Sequence, residues 1–227
     1  ASHELRTPLT NIKLRSEALR VMDLTADQAV ATRFIGEIDT EADRLGRMAT
    51  TLLDLSRLEA QTTDLPAPPL DIAPLLLEMS RVIGVRMRAA ALTYRARIPT
   101  QLPPICIAPA DMEEILANLL DNAIKYTPAG GTVQLDAVAD GARVRLVIAD
   151  SGLGIPADDL PSIFDRFYRV DKARSRKAGG DSVGSGAGLG LFLVKTLVER
   201  NGGTIVAASS PGAGTTFTVH FPLAVFD

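Results

Sequence analysis

Two stretches of helical periodicity open the chain. In the first, residues at helical spacing form one mainly apolar stripe: Leu5, Leu9, Ile12, Ser16 and Leu19. In the second, a near-heptad series follows: Ile35, Ile38, Ala42, Leu45, Ala49 and Leu52. The pattern predicts two long helices joined by a turn near residues 23–25, where Thr25 is placed to cap the second helix.

A helical hairpin with apolar stripes on both arms cannot bury them alone. Pairing two hairpins into a four-helix bundle covers both stripes, so the pattern favours a homodimer. The alternative is a hairpin that packs against the rest of its own chain, although this leaves long stripes to be covered.

The helical pattern breaks at residues 61–69, which contain three prolines. We therefore divide the chain into a first domain at 1–62, a linker at 63–69 and a second domain at 70–227. The second domain mixes predicted helices with predicted strands. The helices are at 71–90, 110–126, 157–165 and 188–200, and the strands are at 92–98, 104–108 and in hairpins about 140–141 and 211–214. This order predicts an α+β fold in which helices pack on a sheet.

Composition excludes some classes of function. The 227 residues are 46% hydrophobic and 22% charged, with a net charge of −3, which is typical of a soluble protein and gives no sign of nucleic-acid binding. No apolar run approaches the roughly 18 residues that span a bilayer. Because the chain starts at Ala1 without an initiator Met, we expect a fragment whose missing upstream part holds any membrane segments.

His3 is one of only two histidines and stands beside Glu4 at the start of the first predicted helix, away from the apolar stripe. A water-facing imidazole is largely neutral at cytoplasmic pH and is available as a nucleophile. Glu4 could orient the ring or take its proton. The alternative is an ordinary surface histidine.

Three polar side chains share one face of the helix predicted at 110–126. Asn118, Asn122 and Lys125 fall at i, i+4 and i+7, and Glu114 lies one turn earlier on the same side. Amide oxygens are hard neutral ligands suited to Mg²⁺, and a lysine can meet a phosphate. A solvated polar face is the alternative for this helix taken by itself.

Two glycine-containing segments are candidates for ligand binding. Asp150 ends an apolar strand and is followed by Gly152 and Gly154, so its carboxylate could accept a hydrogen bond from an adenine amino group. Residues 184–191 place glycines just before a helix, where free backbone N–H groups can bind phosphate. A simple turn and a flexible linker are the respective alternatives.

Taken in this order, the segments closely resemble the motif boxes of sensor histidine kinases of two-component systems, over essentially the whole chain. Residues 3–9 resemble the histidine box, 118–127 the asparagine box, 150–156 the first glycine box, 163–169 the phenylalanine box, 186–191 the second glycine box and 212–217 the last box. The resemblance implies a dimerisation and histidine-phosphotransfer domain, followed by an α/β sandwich ATP-binding domain of the Bergerat type.

By that resemblance, Asn122 is the principal Mg²⁺ ligand with Asn118 assisting, Lys125 and Tyr126 contact the nucleotide, and Asp150 selects adenine. Residues 168–185 correspond to the ATP lid. The remaining residues implied in nucleotide binding are Gly152, Gly154, Ile155, Arg169, Gly186, Gly188, Leu189, Gly190, Leu191 and Thr216.

The resemblance implies a cytoplasmic kinase core that passes the γ-phosphoryl group of Mg·ATP to His3, and from there to an aspartate of a response regulator receiver domain. Glu4 and Thr7 match a Glu-x-x-Thr pattern in which the threonine is associated with dephosphorylating the regulator. We expect the full-length protein to be anchored in the cell membrane. The alternatives are a related Bergerat-fold ATPase, and a degenerate kinase that acts as a binding module.

Overall fold

The computed structural model describes residues 2–22, 27–60, 67–170 and 188–225. Over these residues the helices are α1 (Ser2–Val21), α2 (Gln28–Ala60), α3 (Ala73–Ala89), α4 (Pro109–Tyr126) and α5 (Gly190–Arg200). The strands are β1 (Pro69–Leu70), β2 (Thr93–Arg97), β3 (Ile105–Cys106), β4 (Thr132–Asp140), β5 (Arg143–Asp150), β6 (Thr204–Ser210) and β7 (Gly214–Pro222). The turn predicted at 23–25, with the Thr25 cap, lies outside the described residues, as does most of the predicted linker.

A five-stranded mixed sheet forms the centre of the second domain, with strand order β2-β4-β5-β7-β6. Two antiparallel hairpins, β4–β5 and β6–β7, are joined side by side through antiparallel pairing of β5 with β7. β2 adds to the edge in parallel with β4. A separate antiparallel pair joins β1 to β3, which places Pro69, the last residue of the predicted linker, in a strand.

One face of the sheet is covered by helices. α3 contacts β2, α4 contacts β5 and α5 contacts β6. Alternate residues of the central strands are buried on this face, as are the apolar sides of α4 and α5, so a single core lies between the two layers. The predicted α+β architecture is confirmed.

The prediction of a helix at 157–165 is wrong. Only a single 3₁₀ turn forms there, at Leu160–Ser162. Pro161 lacks a backbone N–H donor, and the residue before a proline is disfavoured in the α conformation, which limits helical continuation from Leu160. The segment is held instead by side chains: the Tyr168 hydroxyl donates to Asp159 Oδ1 at 2.6 Å, and the Phe164 ring packs edge-on against Phe217 of β7.

The first domain is the predicted helical hairpin, with α1 in contact with α2. Asn11 Nδ2 donates to Glu41 Oε1 at 3.2 Å, and Arg15 pairs with Glu37. Among the hairpin residues whose burial is described, five large apolar side chains are nevertheless more than half exposed in the single chain: Leu9, Leu14, Val21, Ile35 and Leu53. α2 also contacts α5, so the chain itself supplies part of the cover. No helix in the described ranges has both the length and the apolar character needed to cross a membrane.

Candidate functional site

The amphipathic helix α4 positions the first group of predicted site residues. Its buried side packs into the core through Met112, Ile115, Leu116, Leu119, Leu120 and Ala123. Asn118, Asn122 and Lys125 are left half-buried on another face. The structure therefore brings these three side chains together along one edge of the helix, as their spacing predicts.

Asn118 faces the start of α5. Its Nδ2 group donates to the backbone carbonyl of Glu114 at 2.9 Å and to Glu114 Oε1 at 2.7 Å. Its Oδ1 atom lies so close to Gly190 that a Cβ atom at that position would be only 2.6 Å away. A side chain at residue 190 would thus intrude on the Asn118 carbonyl oxygen, whereas glycine leaves it room.

Asp150 ends β5 and is held by backbone groups from two directions. Its Oδ1 atom accepts hydrogen bonds from the Gly152 N–H at 2.8 Å and the Thr215 N–H at 3.2 Å. Burial raises the pKa of this carboxyl above its ordinary value, and the two backbone hydrogen bonds oppose that shift only in part. Because both N–H groups go to Oδ1, the second carboxylate oxygen is the one available to a ligand.

Gly152 and Gly154 let the backbone after Asp150 pass close to two other elements. A Cβ atom at Gly152 would lie 2.4 Å from the carbonyl oxygen of Tyr126, which accepts from the Leu153 N–H at 3.1 Å. Gly154 has a φ of +68°, and a Cβ there would lie 1.9 Å from the carbonyl oxygen of Ser210. Neither position accommodates a side chain, so the turn is locked between the end of α4 and the end of β6.

The end of β6 and the start of β7 contribute contacts that the sequence motifs did not indicate. The backbone N–H of Thr215, the residue before the predicted site residue Thr216, donates to Asp150, and Ser209 Oγ accepts from the N–H of the predicted site residue Ile155 at 2.8 Å. Thr216 follows Thr215 on a strand, so it points to the other face of the sheet. The β5–β7 register, which pairs Asp150 with Thr215, is the feature that would have revealed these contacts.

Lys125 and Tyr126 lie at the end of α4, next to the Asp150 turn. The Lys125 ammonium group is 5.0 Å from the centre of the Tyr126 ring, within range of a cation–π contact. Tyr126 remains exposed at its ring, while its backbone carbonyl holds Leu153. The pair therefore presents a cation and an aromatic surface beside the Asp150 turn.

The described end of the glycine tract is tied to the segment after the 3₁₀ turn. The Phe167 N–H donates to the Gly188 carbonyl at 2.8 Å, and Gly188 has a φ of +71°. Leu189 is buried, and Gly190 and Leu191 begin α5. Arg169 is half-buried just beyond Phe167. Gly186 and most of the predicted lid lie outside the described residues.

The predicted phospho-acceptor lies on the other domain. His3 and Glu4 belong to the first turn of α1, but their side chains lie outside the described part of the chain. Thr7 is exposed one turn later, and Pro8, which lacks an N–H donor, is buried inside the same helix.

The donor set on α4 suits Mg²⁺. With both amide hydrogens of Asn118 directed to Glu114, its Oδ1 is left as a neutral oxygen acceptor near the glycine-rich start of α5. Mg²⁺ commonly combines one or two protein oxygens with substrate phosphates and water. Within the described ranges, no group of three or more His, Cys, Asp or Glu side chains is placed to hold a metal ion.

Two protein families match the chain, one for each domain. Residues 108–225 match the family described as "Histidine kinase-, DNA gyrase B-, and HSP90-like ATPase". Residues 1–61 match the His Kinase A (phospho-acceptor) domain. The phospho-acceptor match thus precedes the ATPase match along the chain, and residues 62–107 lie between the two matched ranges.

Individual relatives agree with this assignment. The chain is 35% identical over 221 residues to the sensor-like histidine kinase SenX3 of Mycobacterium tuberculosis, covering 97% of this chain and 52% of the relative. It thus spans about half the length of this curated relative.

Among solved structures, full-length ShkA in complex with AMPPNP is 31% identical with a TM-score of 0.67, covering 99% of this chain and 45% of that one. Histidine kinase ThkA in complex with response regulator protein TrrA has a TM-score of 0.72 at 19% identity, covering 98% and 60% of the two chains, which shows the shared fold. With both domain families matched in order along its length, the chain belongs to the sensor histidine kinases of two-component systems.

Proposed function

We propose that this chain is the catalytic core of an ATP-dependent protein histidine kinase that phosphorylates its own His3. The observation that carries the proposal is the convergence of three elements on one site: the asparagine face of α4, the glycine-rich start of α5 and the Asp150 turn. The match of residues 1–61 to a phospho-acceptor domain supports the choice of an acceptor on the first domain.

In the proposed reaction, a neutral nitrogen of His3 forms a bond to the γ-phosphorus of ATP while the bond from that phosphorus to the β–γ bridging oxygen breaks, so ADP leaves. Asp150 accepts a hydrogen bond from the adenine amino group, and Lys125 contacts the phosphates. Asn118 and Asn122 would hold Mg²⁺, which supplies neutralisation of phosphate charge. The protein contributes mostly orientation, because phosphoryl transfer needs little covalent participation from side chains.

Incubation with γ-labelled ATP and Mg²⁺ tests the proposal. We expect the label on the protein to be lost in acid and retained in alkali, as for phosphohistidine. ATP hydrolysis without protein labelling would favour a related ATPase, and nucleotide binding with neither activity would favour a degenerate kinase.

We further propose that phosphorylated His3 passes its phosphoryl group to an aspartate of a response regulator. ThkA, which has the same fold, has been solved with the response regulator TrrA, and this supports a partner of that class. The relative SenX3 is named a sensor-like histidine kinase and is about twice as long as this chain, which supports our proposal of a cytoplasmic core joined to a membrane-anchored sensing part.

The raised pKa of Asp150 predicts a pH dependence of nucleotide affinity. Protonation would fall on the carboxyl oxygen that has no backbone donor and would remove the acceptor for adenine. As pH falls through the raised pKa, affinity should drop by about tenfold per unit, starting at a higher pH than for an ordinary aspartate. Titration of AMPPNP binding checks this. In Asp150→Asn, the pH dependence of AMPPNP affinity should disappear. In the control Asp158→Asn, which changes an exposed aspartate, it should remain. An identical slope in Asp150→Asn would contradict the role.

Thr7 is proposed to assist dephosphorylation of the regulator, because it is an exposed residue one helical turn after His3, where its side chain can reach a water molecule at a docked phospho-aspartate. We expect Thr7→Ala to leave His3 labelling intact and to slow loss of phosphate from the regulator by roughly tenfold. The matched change Thr10→Ala, also exposed on α1, should do neither. Equal loss of both activities in Thr7→Ala would instead indicate a role in helix geometry.

The exposed apolar residues of the hairpin support a homodimer. Leu9 and Ile35, which lie on the predicted stripes, are more than half exposed in the single chain. Leu45→Glu would place a charge on the proposed seam, and we expect the dimer dissociation constant to rise by roughly a hundredfold in sedimentation. Thr50→Glu adds the same charge at an exposed position and should leave the dimer intact. A monomeric parent would overturn the proposal.

A further inference from the structure

Glu114 contacts Asn118 through two acceptors, although neither family resemblance nor spacing gave it a role. Its backbone carbonyl and its Oε1 atom accept from the same Nδ2 group, at 2.9 and 2.7 Å. An amide has two N–H donors on its nitrogen, so both are occupied on the side of the preceding helical turn. The contact to Oε1 is charge-assisted, which makes it the stronger kind of hydrogen bond.

The other end of the amide points elsewhere. Asn118 Oδ1 lies beside Gly190 at the start of α5, as the 2.6 Å approach of a Cβ atom built there shows. If the amide rotated by half a turn, Nδ2 would occupy this place and present donors. Only the oxygen can bind a cation, so the orientation of the amide decides whether Asn118 contributes to a metal site.

We propose that Glu114 is a positioning residue that holds the Asn118 amide with Oδ1 toward the start of α5. The proposal rests on the proposed function, since it concerns the Mg²⁺-dependent part of nucleotide binding. Glu114 acts through the acceptor that it offers to Nδ2 and need not touch the nucleotide. Its exposed position on α4 means that replacing it should not disturb the core.

The test compares binding of AMPPNP to the full chain with and without Mg²⁺. We expect Glu114→Ala to weaken the Mg²⁺-dependent affinity about fivefold, as expected for loss of one hydrogen bond, and to leave the metal-free affinity unchanged. Glu114→Gln keeps a carbonyl acceptor at the same place and should restore the affinity of the parent. Glu113→Ala removes a neighbouring exposed carboxylate that makes no side-chain hydrogen bond in the described structure, and it should have no effect.

A second measurement needs no ligand. In the nucleotide-free protein, we compare the frequency separation between the NMR resonances of the two Asn118 side-chain amide protons. This separation should be large in the parent and in Glu114→Gln, and it should become smaller in Glu114→Ala. Unchanged resonances and unchanged Mg²⁺-dependent affinity in Glu114→Ala would overturn the proposal, as would a loss in Glu114→Gln equal to that in Glu114→Ala, which would indicate charge instead of orientation.

Asn122→Ala separates this inference from the proposed function. We expect that change to remove most of the Mg²⁺-dependent affinity, because it deletes the principal oxygen ligand. A loss in Asn122→Ala with none in Glu114→Ala would overturn the role of Glu114 alone. A parent that binds AMPPNP equally with and without Mg²⁺ would overturn both.

Discussion

Replacing His3 with alanine is expected to abolish phosphoryl labelling of the chain by γ-labelled ATP. Alanine has no nucleophilic nitrogen, so the side chain at residue 3 can no longer accept the phosphoryl group. Affinity for AMPPNP should stay within about twofold of the parent, because His3 lies on α1 and the predicted nucleotide site is formed by α4, α5 and the sheet. Gel autoradiography and a binding titration measure the two quantities on the same preparation.

The second histidine of the chain supplies the control. His220 lies on β7, where it is the strand-register partner of Arg145 on β5 and of Thr204 on β6. It belongs to none of the motif boxes. His220→Ala should retain the label at the level of the parent. Label that persists in His3→Ala, or that disappears in His220→Ala while the protein remains folded, would assign the acceptor elsewhere.

Gly214→Ala is expected to damage both stability and nucleotide binding. Gly214 has a φ of +84°, and a Cβ atom there would lie 1.9 Å from the carbonyl oxygen of Asp150 and 2.8 Å from the Cα atom of Ser151. These are backbone atoms, so a methyl group can be accommodated only if β7 moves away from β5. That movement breaks the hydrogen bond from Thr215 to Asp150 and misplaces the carboxylate.

The nearby Gly212 isolates the steric part of this effect. It has a similar φ of +76°, but no atom lies within 4 Å of a Cβ built on it. Gly212→Ala should therefore lower the free energy of unfolding by only roughly 1 kcal/mol, the cost of an alanine in the left-handed conformation. Gly214→Ala should lower it by about 1–3 kcal/mol more, because the added methyl group overpacks the site. Urea unfolding gives the two free energies, and AMPPNP titration should show weakened binding in Gly214→Ala alone. Equal stability of the two variants would contradict the geometry at Asp150.

The parts of the fold that depend on local periodicity were predictable. The spacing of Leu116, Leu119 and Ala123 specified the buried side of α4, and alternation specified the strands of both hairpins. Turn signals at Gly141 and Pro211 placed their reversals correctly. The failure at 157–165 arose because Pro161 and the side-chain bond between Tyr168 and Asp159 override a weak helical pattern.

Contacts between elements distant in sequence could not be predicted in the same way. The approach of Gly190 to Asn118 depends on how α5 crosses α4, and the bond from Thr215 to Asp150 depends on the register between β5 and β7. The parallel pairing of β2 with β4 is likewise set by packing across the sheet. The motif boxes proposed the candidate site residues, while the geometry that joins them came only from the fold.

The position of Asp150 at the border between the two hairpins has a consequence for folding. Each hairpin pairs residues close in sequence and can form early, but the pairing of Asp150 with Thr215 brings together segments 65 residues apart and requires both hairpins to dock. We therefore expect the carboxylate proposed to bind adenine to reach its final position in a late folding step. A nucleotide that binds only after this step would stabilise the finished sheet and slow its unfolding, without accelerating the formation of either hairpin.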